Sequence, residues 1–333
     1  MISRAVGALV VTAALVAFPQ VLATSFWINT GILALIFASA ACGWNVLGGY
    51  TGQISFGNAV FFGTGAYTTT LLVRAGWSPW PTFVVGALIA AVMAVLIGLP
   101  CFRLRSHYFA IATIAVGEIA YVIANSTRSL GGSSGLQLPL RSTGLSTLQF
   151  SARDPTPYYY VALVLFALVT FLTWLLIRGR TGSYLRSVRD NEQAAGACGV
   201  PVWRYKLIAV AVSGAMTAVP GGVYAMYVLF VDPSLALDLS VSIDIVLITV
   251  LGGAGTLFGP LIGAWTLISL QEFTRQQLGG NNAGLDLLIF GALIVAVVMV
   301  EPGGVSRLLG RLQAFTCARL ARRRGATIPA ASA

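Results

Sequence analysis

Runs of about twenty consecutive apolar residues recur along the chain, and each is long enough to cross a hydrocarbon core of roughly 30 Å as a helix. They lie near 5–23, 27–47, 54–73, 82–102, 108–125, 157–177, 206–230, 241–254, 258–276 and 285–300. Charged residues make up only 9% of the 333, against about a quarter in a soluble domain. The fold class these runs imply is all-α: a polytopic integral membrane protein of about ten transmembrane or re-entrant helices. The segment 241–276 reads either as two spans or as a re-entrant hairpin. Both options return the chain to the same side.

A formal charge of +10 would suggest a nucleic-acid partner in a soluble protein. Here the cations acquire meaning only when sorted by membrane side. Segment 178–206 carries Arg178, Arg180, Arg186, Arg189, Arg204 and Lys206, and the end of the chain carries Arg307, Arg311, Arg319, Arg322, Arg323 and Arg324. Both belong in the cytoplasm by the positive-inside rule. Counting spans outward from them puts Arg4, Arg103 and Arg105 inside as well. Segment 127–156 and the turn with Asp232 and Asp238 then fall outside, and both termini are cytoplasmic. Residues 1–23 also admit reading as a signal peptide ending at Val21-Leu22-Ala23, but their apolar core is long for one, which favours an uncleaved span. Cys42, Cys101, Cys198 and Cys317 share no short spacing, so neither a disulfide framework nor a metal site is implied.

No extramembrane stretch is large enough for a soluble domain. The organisation expected is a transmembrane domain over 1–305 followed by a basic cytoplasmic tail, 306–333. That tail mixes Leu308, Leu309, Leu312 and Phe315 with its arginines at roughly helical spacing. It reads as an interfacial helix on anionic membrane lipid or as a disordered tail that enforces topology. The external segment 127–156, rich in Gly, Ser and Thr, reads as a mobile surface connection. Its Gly131-Gly132-Ser133-Ser134-Gly135 matches the Gly-x-Ser-x-Gly of hydrolases only by accident. A triad needs a histidine base, and the single histidine, His107, belongs to the opposite face beside Arg103 and Arg105.

Within 178–206, the stretch Asp190-Asn191-Glu192-Gln193-Ala194-Ala195-Gly196-Ala197-Cys198-Gly199-Val200-Pro201 carries its own start and stop signals. Asp190 or Asn191 can N-cap a helix, Glu192 suits its first turn, Gly199 suits a left-handed C′ position and Pro201 prevents continuation. A two-turn helix outside the membrane is predicted. Its small residues would let another protein approach the backbone, and the surrounding arginines would pair with an acidic partner. The alternative is a solvated loop whose charge only sets topology.

Residues Tyr184 to Ala195, running on through Gly199 to Arg204-Tyr205-Lys206, resemble the EAA-type coupling loop of ABC importer permeases, and most of all the branched-chain amino-acid permeases of the LivM type. Gly49-Tyr50-Thr51-Gly52-Gln53-Ile54-Ser55-Phe56-Gly57, Phe61 to Tyr67, Tyr108 to Thr113, Gly131 to Leu136, Leu251 to Pro260 and Glu301-Pro302-Gly303-Gly304 resemble the same family. The resemblance spans about residues 30 to 305 in order. One departure is that Gln193 separates Glu192 from the paired alanines. The resemblance implies an ABC importer taking up branched-chain or related amino acids across a bacterial plasma membrane by alternating access. It also implies its partners: cytoplasmic ABC ATPase subunits, a homologous second permease of the LivH type and an external solute-binding protein. Permeases for urea and short amides share it. Arg189, Asp190, Glu192, Ala194, Ala195 and Gly199 are the expected ATPase-docking residues.

The chain lacks the means to hydrolyse ATP itself. A P-loop needs a lysine after a glycine-rich turn, and the only lysine, Lys206, stands in Arg204-Tyr205-Lys206-Leu207. No cofactor and no nucleic acid are expected. Energy comes from a partner or, for a stand-alone secondary transporter or channel, from an ion gradient.

Segment 45–70 is unusually polar and glycine-rich for a span, which predicts broken or closely packed helix. Such backbone is tolerated at membrane depth only against protein or a wet cavity. Asn45, Gln53, Ser55 and Asn58 are therefore candidates to line a solute path, with small-residue packing as the other reading. Glu118, mid-span, and Asp244, within an apolar run, join them, because intramembrane acids face an interior or a wet pathway. Glu118 could meet a substrate ammonium group, or form a buried pair that holds helices together, and the pair is the favoured reading. Asp244 reads equally as helix-start charge. The Gly252-Gly253-Ala254-Gly255 turn reads as packing or a hinge.

Overall fold

The computed structural model describes residues 15–20, 24–104, 106–140, 144–150, 154–278 and 291. The expected span at 285–300, the basic tail and most of the first apolar run lie outside the described residues. Within them the chain is helical almost throughout. The long elements are α1 (Ser25–Thr51), α2 (Asn58–Arg74), α3 (Pro79–Cys101), α4 (Ser106–Ser126) and α5 (Thr156–Arg178). Two short helices follow, α6 (Arg180–Asp190) and α7 (Glu192–Ala197). After them come α8 (Val202–Val228), the single turn α9 (Pro233–Ala236), α10 (Leu239–Gly252) and α11 (Gly259–Leu278). Six of these segments are long and apolar enough to cross a membrane.

Helix ends sit where local chemistry puts them. Gly52 adopts a left-handed conformation (φ 72°) after Thr51 and returns its N–H to the Leu47 carbonyl, which stops α1. Proline at the first turn opens α3 and α5, where its missing N–H would have had no partner. Asp238 caps α10, its carboxylate accepting from the Ser240 N–H at 2.8 Å.

α1 is apolar on every side and accordingly sits in the middle of the bundle, with nearly all residues from Ile28 to Thr51 buried. α5, α8, α10 and α11 pack around it, and α2 meets it through the Phe37–Phe62 ring contact. In lipid the hydrophobic effect does not drive helices together, so close van der Waals packing does, and small residues permit it. A Cβ on Gly65 would lie against the Ala218 carbonyl, and one on Gly221 against the Phe62 carbonyl, so α2 and α8 touch backbone to backbone. Trp44, Phe62 and Tyr159 fill the spaces left between helices. α3 and α5 instead expose ridges of large aliphatic side chains, Val84, Leu88, Val92 and Leu96 on one, Val164, Leu168 and Leu175 on the other. Those ridges suit lipid.

The outer loop is not the mobile connection its composition suggested. Thr127 to Gly135 forms two 3-10 turns, and Leu136–Gln137 pairs antiparallel with Phe230–Val231, Leu136 opposite Val231. Trp80 Nε1 donates to the Leu145 carbonyl at 2.9 Å, and the single proton of the Tyr158 hydroxyl lies within reach of the Leu148 and Met226 carbonyls, 2.8 and 3.1 Å from its oxygen. Aromatic donors reaching up from the span ends, which composition does not advertise, pin the loop.

At the other face, α10 and α11 form an antiparallel hairpin whose turn reaches Arg189.

Gly221→Val should lower the stability of the detergent-solubilised protein by about 1–3 kcal/mol through overpacking against Phe62. Gly117→Ala, where a Cβ meets nothing within 4 Å, should leave stability unchanged or raise it by about 0.5–1 kcal/mol. The fraction remaining monodisperse after a temperature series measures both.

Candidate functional site

The chain between α5 and α8 folds as the sequence indicates. Asn191, rather than Asp190, caps α7: its Oδ1 accepts from the Ala194 N–H at 3.0 Å. At the other end Gly199, at φ 83°, occupies the left-handed C′ position. Gly199 N–H donates to the Gly196 carbonyl and Val200 N–H to that of Ala195 (3.0 and 3.1 Å), the paired bonds of a Schellman ending. Of the residues expected to dock, Ala194 and Gly199 are exposed, as is Asp190 at the end of α6, while Ala195 is buried and anchors the helix from beneath. α7 therefore presents a small-residue surface outward on a rigid frame.

Two polar contacts tie that frame to the membrane bundle. Glu192 forms an ion pair with Lys206 at the start of α8, both carboxylate oxygens 2.7 Å from Nζ, with the lysine side chain 7% exposed and the glutamate 51%. Lys206 lies 5.9 Å from the centre of the Phe102 ring. Glu192 thus spends its charge on its own chain. Arg189 remains exposed in part, yet its Nη1 donates to the Gly49 carbonyl at 2.6 Å. That guanidinium sits where α1 ends and where the α10–α11 turn arrives: a Cβ on Gly255 would collide with it, and one on Gly52 would touch its Cγ at 3.4 Å.

Asn45 completes the junction. Its Nδ2 donates to the Thr256 carbonyl and its Oδ1 accepts from the Gly255 N–H, both at 2.8 Å. With 1% exposure and both amide ends engaged, Asn45 clamps a turn and offers no polar atom to a solute. The Gly252–Gly255 turn is therefore a packed joint, in line with the packing-or-hinge reading.

The expected break in segment 45–70 lies at 52–57, between α1 and α2. Trp44 Nε1 donates to the Ser55 carbonyl at 2.7 Å, Phe56 N–H to Thr113 Oγ1 at 3.1 Å and Gly57 N–H to Ser55 Oγ at 3.2 Å. Ser242 Oγ accepts from the Ala59 N–H at 2.8 Å, capping α2 from a different helix. Ser55 is thus used inside the protein, and Gln53 is half-buried. Asn58 differs: it is fully buried, and neither end of its amide has a hydrogen-bond partner. Glu118 is exposed on α4, not in a buried ion pair: the two ion pairs among the described residues are Glu192–Lys206 and Glu272–Arg275. Asp244, half-buried, lines a cavity of about 540 Å³ together with Tyr224, Ser240, Glu272 and Arg275. Lys206, Trp44, Thr113 and Ser242 did not stand out as site residues in the sequence, because each acts on backbone or on a partner distant along the chain.

The family described as branched-chain amino acid transport system, permease component, matches residues 5–298. The chain belongs to it. Relatives include the high-affinity branched-chain amino acid transport permease LivM of Escherichia coli, 30% identical over 300 residues that cover 84% of this chain and 69% of that protein. LivH of the same organism is 24% identical, covering 85% and 94%. The autoinducer 2 import permease LsrD of Klebsiella pneumoniae is 28% identical, covering 83% and 81%. This is a multi-pass membrane transport subunit, as the resemblance implied.

The Glu192–Lys206 pair is lopsided, and its variants should be too. Glu192→Ala strips the buried ammonium of its counter-charge and should cost about 1–3 kcal/mol. Lys206→Met leaves a largely solvated carboxylate and should cost less. A double-mutant cycle on thermal unfolding in detergent reads the coupling, and equal single-site losses would contradict the asymmetry.

Proposed function

We propose that this chain is the LivM-type permease half of an ABC importer for branched-chain amino acids, with α7 as the element that seats on a cytoplasmic ATPase. The observation that carries the reading is the build of α6 and α7. A capped, small-surfaced helix projects from the membrane face and is bonded by Glu192–Lys206 to α8 and by Arg189–Gly49 to α1. Such a piece can transmit displacement in two directions at once. The branched-chain amino acid transport of LivM and LivH supports branched-chain amino acids as cargo. The autoinducer cargo of LsrD shows that similar chains serve other solutes, so selection is assigned to the external binding protein. In this reading the homologous LivH-type permease supplies the other half of the path, and Asn58, Gln53 and Asp244 are the residues of this chain proposed to meet solute or water.

Docking leaves a footprint. Cys198 is an exposed thiol at the end of α7, whereas Cys42 and Cys101 are buried. With Cys317 replaced by serine, a water-soluble maleimide should label Cys198 in the isolated permease and be blocked once the ATPase subunits assemble. Unchanged labelling in the assembled complex would remove α7 from the interface. Ala194→Arg, on the exposed side, should block assembly while leaving membrane insertion intact.

Arg189→Ala tests transmission rather than docking. ATP-driven uptake in proteoliposomes holding the whole complex should fall roughly 5–150-fold, the span of a coupling free energy of about 1–3 kcal/mol, while ATPase subunits stay bound. Uptake by the permease alone on an ion gradient would instead favour a secondary transporter.

A further inference from the structure

α4 is the least embedded of the long helices, and its outward side differs from those of α3 and α5. Tyr108, Ile111 and Val122 are 68%, 63% and 56% exposed, and Ala115 and Glu118 are exposed between them. At 100° per residue these five fall within an arc of about 80°, with Glu118 at one edge of it. Glu118 stands about 18 Å from the inner end of this 21-residue helix and about 12 Å from the outer one. A glutamate side chain reaches neither interface from there. Facing lipid, the carboxylate would cost several kcal/mol. The exposed ridges of α3 and α5 carry no charged residue at comparable depth, so the chain's own lipid-facing surfaces show the contrast.

Depth also restricts what covers the stripe. Neither an ATPase in the cytoplasm nor a binding protein outside can reach mid-membrane, so the partner spans the bilayer. A second copy of this chain would bring two Glu118 carboxylates to the same depth across a two-fold axis, like charge against like charge in a low-dielectric layer. A homologous but different chain avoids that by placing a cation or hydrogen-bond donor opposite.

We infer that the α4 stripe Tyr108–Ile111–Ala115–Glu118–Val122 is the surface on which the second, LivH-type permease packs, with Glu118 bonded to a donor of that chain. The inference rests on the importer reading above and assigns the pairing surface that reading leaves open. It also gives α4 a connecting role, because Thr113 on its inward side holds the 52–57 break through the Phe56 N–H.

Site-specific photo-crosslinking in membranes tests it, with this chain and the LivH-type permease of the same genome co-expressed under different tags alongside the ATPase subunits. A benzophenone residue at Ala115 or Val122 should yield an adduct carrying both tags, and one at Leu88 or Leu168 should not. Glu118→Leu should lower recovered partner on the order of tenfold, and Glu118→Gln, which keeps hydrogen-bonding atoms, should lower it less. Adducts from Leu88 or Leu168 alone, an Ala115 adduct with a second copy of this chain, or full partner recovery with Glu118→Leu would each overturn the assignment. Co-purification of the unmodified subunits is scored separately. If they fail to associate, the importer reading falls with the inference. If they associate and α4 stays silent, only the inference falls.

Discussion

Two stretches of irregular backbone, 52–57 and 253–258, interrupt the helices next to the coupling segment, and the buried amides they free need partners inside the protein. Side chains from distant helices answer that demand. Asn45 serves Gly255 and Thr256, Trp44 and Thr113 serve the break, and Ser242 caps α2. Much of the rest follows from these bonds. They fix α1 at the centre, hold the α10–α11 turn beside the end of α1, and place both irregular stretches where α6 and α4 can touch them. Each unmet amide would cost several kcal/mol in hydrocarbon, so these few polar side chains decide how the helices are arranged as much as apolar packing does.

Seen this way, polar residues inside a span divide by whether their hydrogen bonds are used. Asn45 and Ser55 are used and belong to the frame. Asn58 and Glu118 are not, and they differ from each other. Asn58 is enclosed, whereas Glu118 is open on the outward side of α4. The sequence ranks all four alike, as polar letters in apolar runs.

That distinction measures what was legible beforehand. The helical class and the short capped α7 were readable because they depend on local signals: apolar run length, and a cap followed by Gly199 and Pro201. The break near residue 52 was readable from glycine density. What escaped were partnerships between residues some 140 to 210 positions apart, such as Arg189 with Gly49 and Asn45 with Gly255. Composition misled most in the outer loop. Glycine and serine there suggested mobility, while the donors that fasten it, Trp80 and Tyr158, sit in neighbouring spans and look like ordinary interfacial aromatics.

The two tethers of the coupling segment differ in kind, and the difference bears on how motion would pass through them. Glu192–Lys206 joins two charges, one of them almost enclosed, so separating them strands an ammonium in a poor solvent; this tether resists opening. Arg189–Gly49 joins a charge to a neutral carbonyl at a partly exposed position, where water is at hand to replace either partner. The second can therefore break and re-form at lower cost than the first. In the proposed importer, a push on α7 would carry α8 through the stiffer of the two attachments and the end of α1, with the adjoining turn, through the weaker one, so that both parts of the bundle follow the ATPase but not equally.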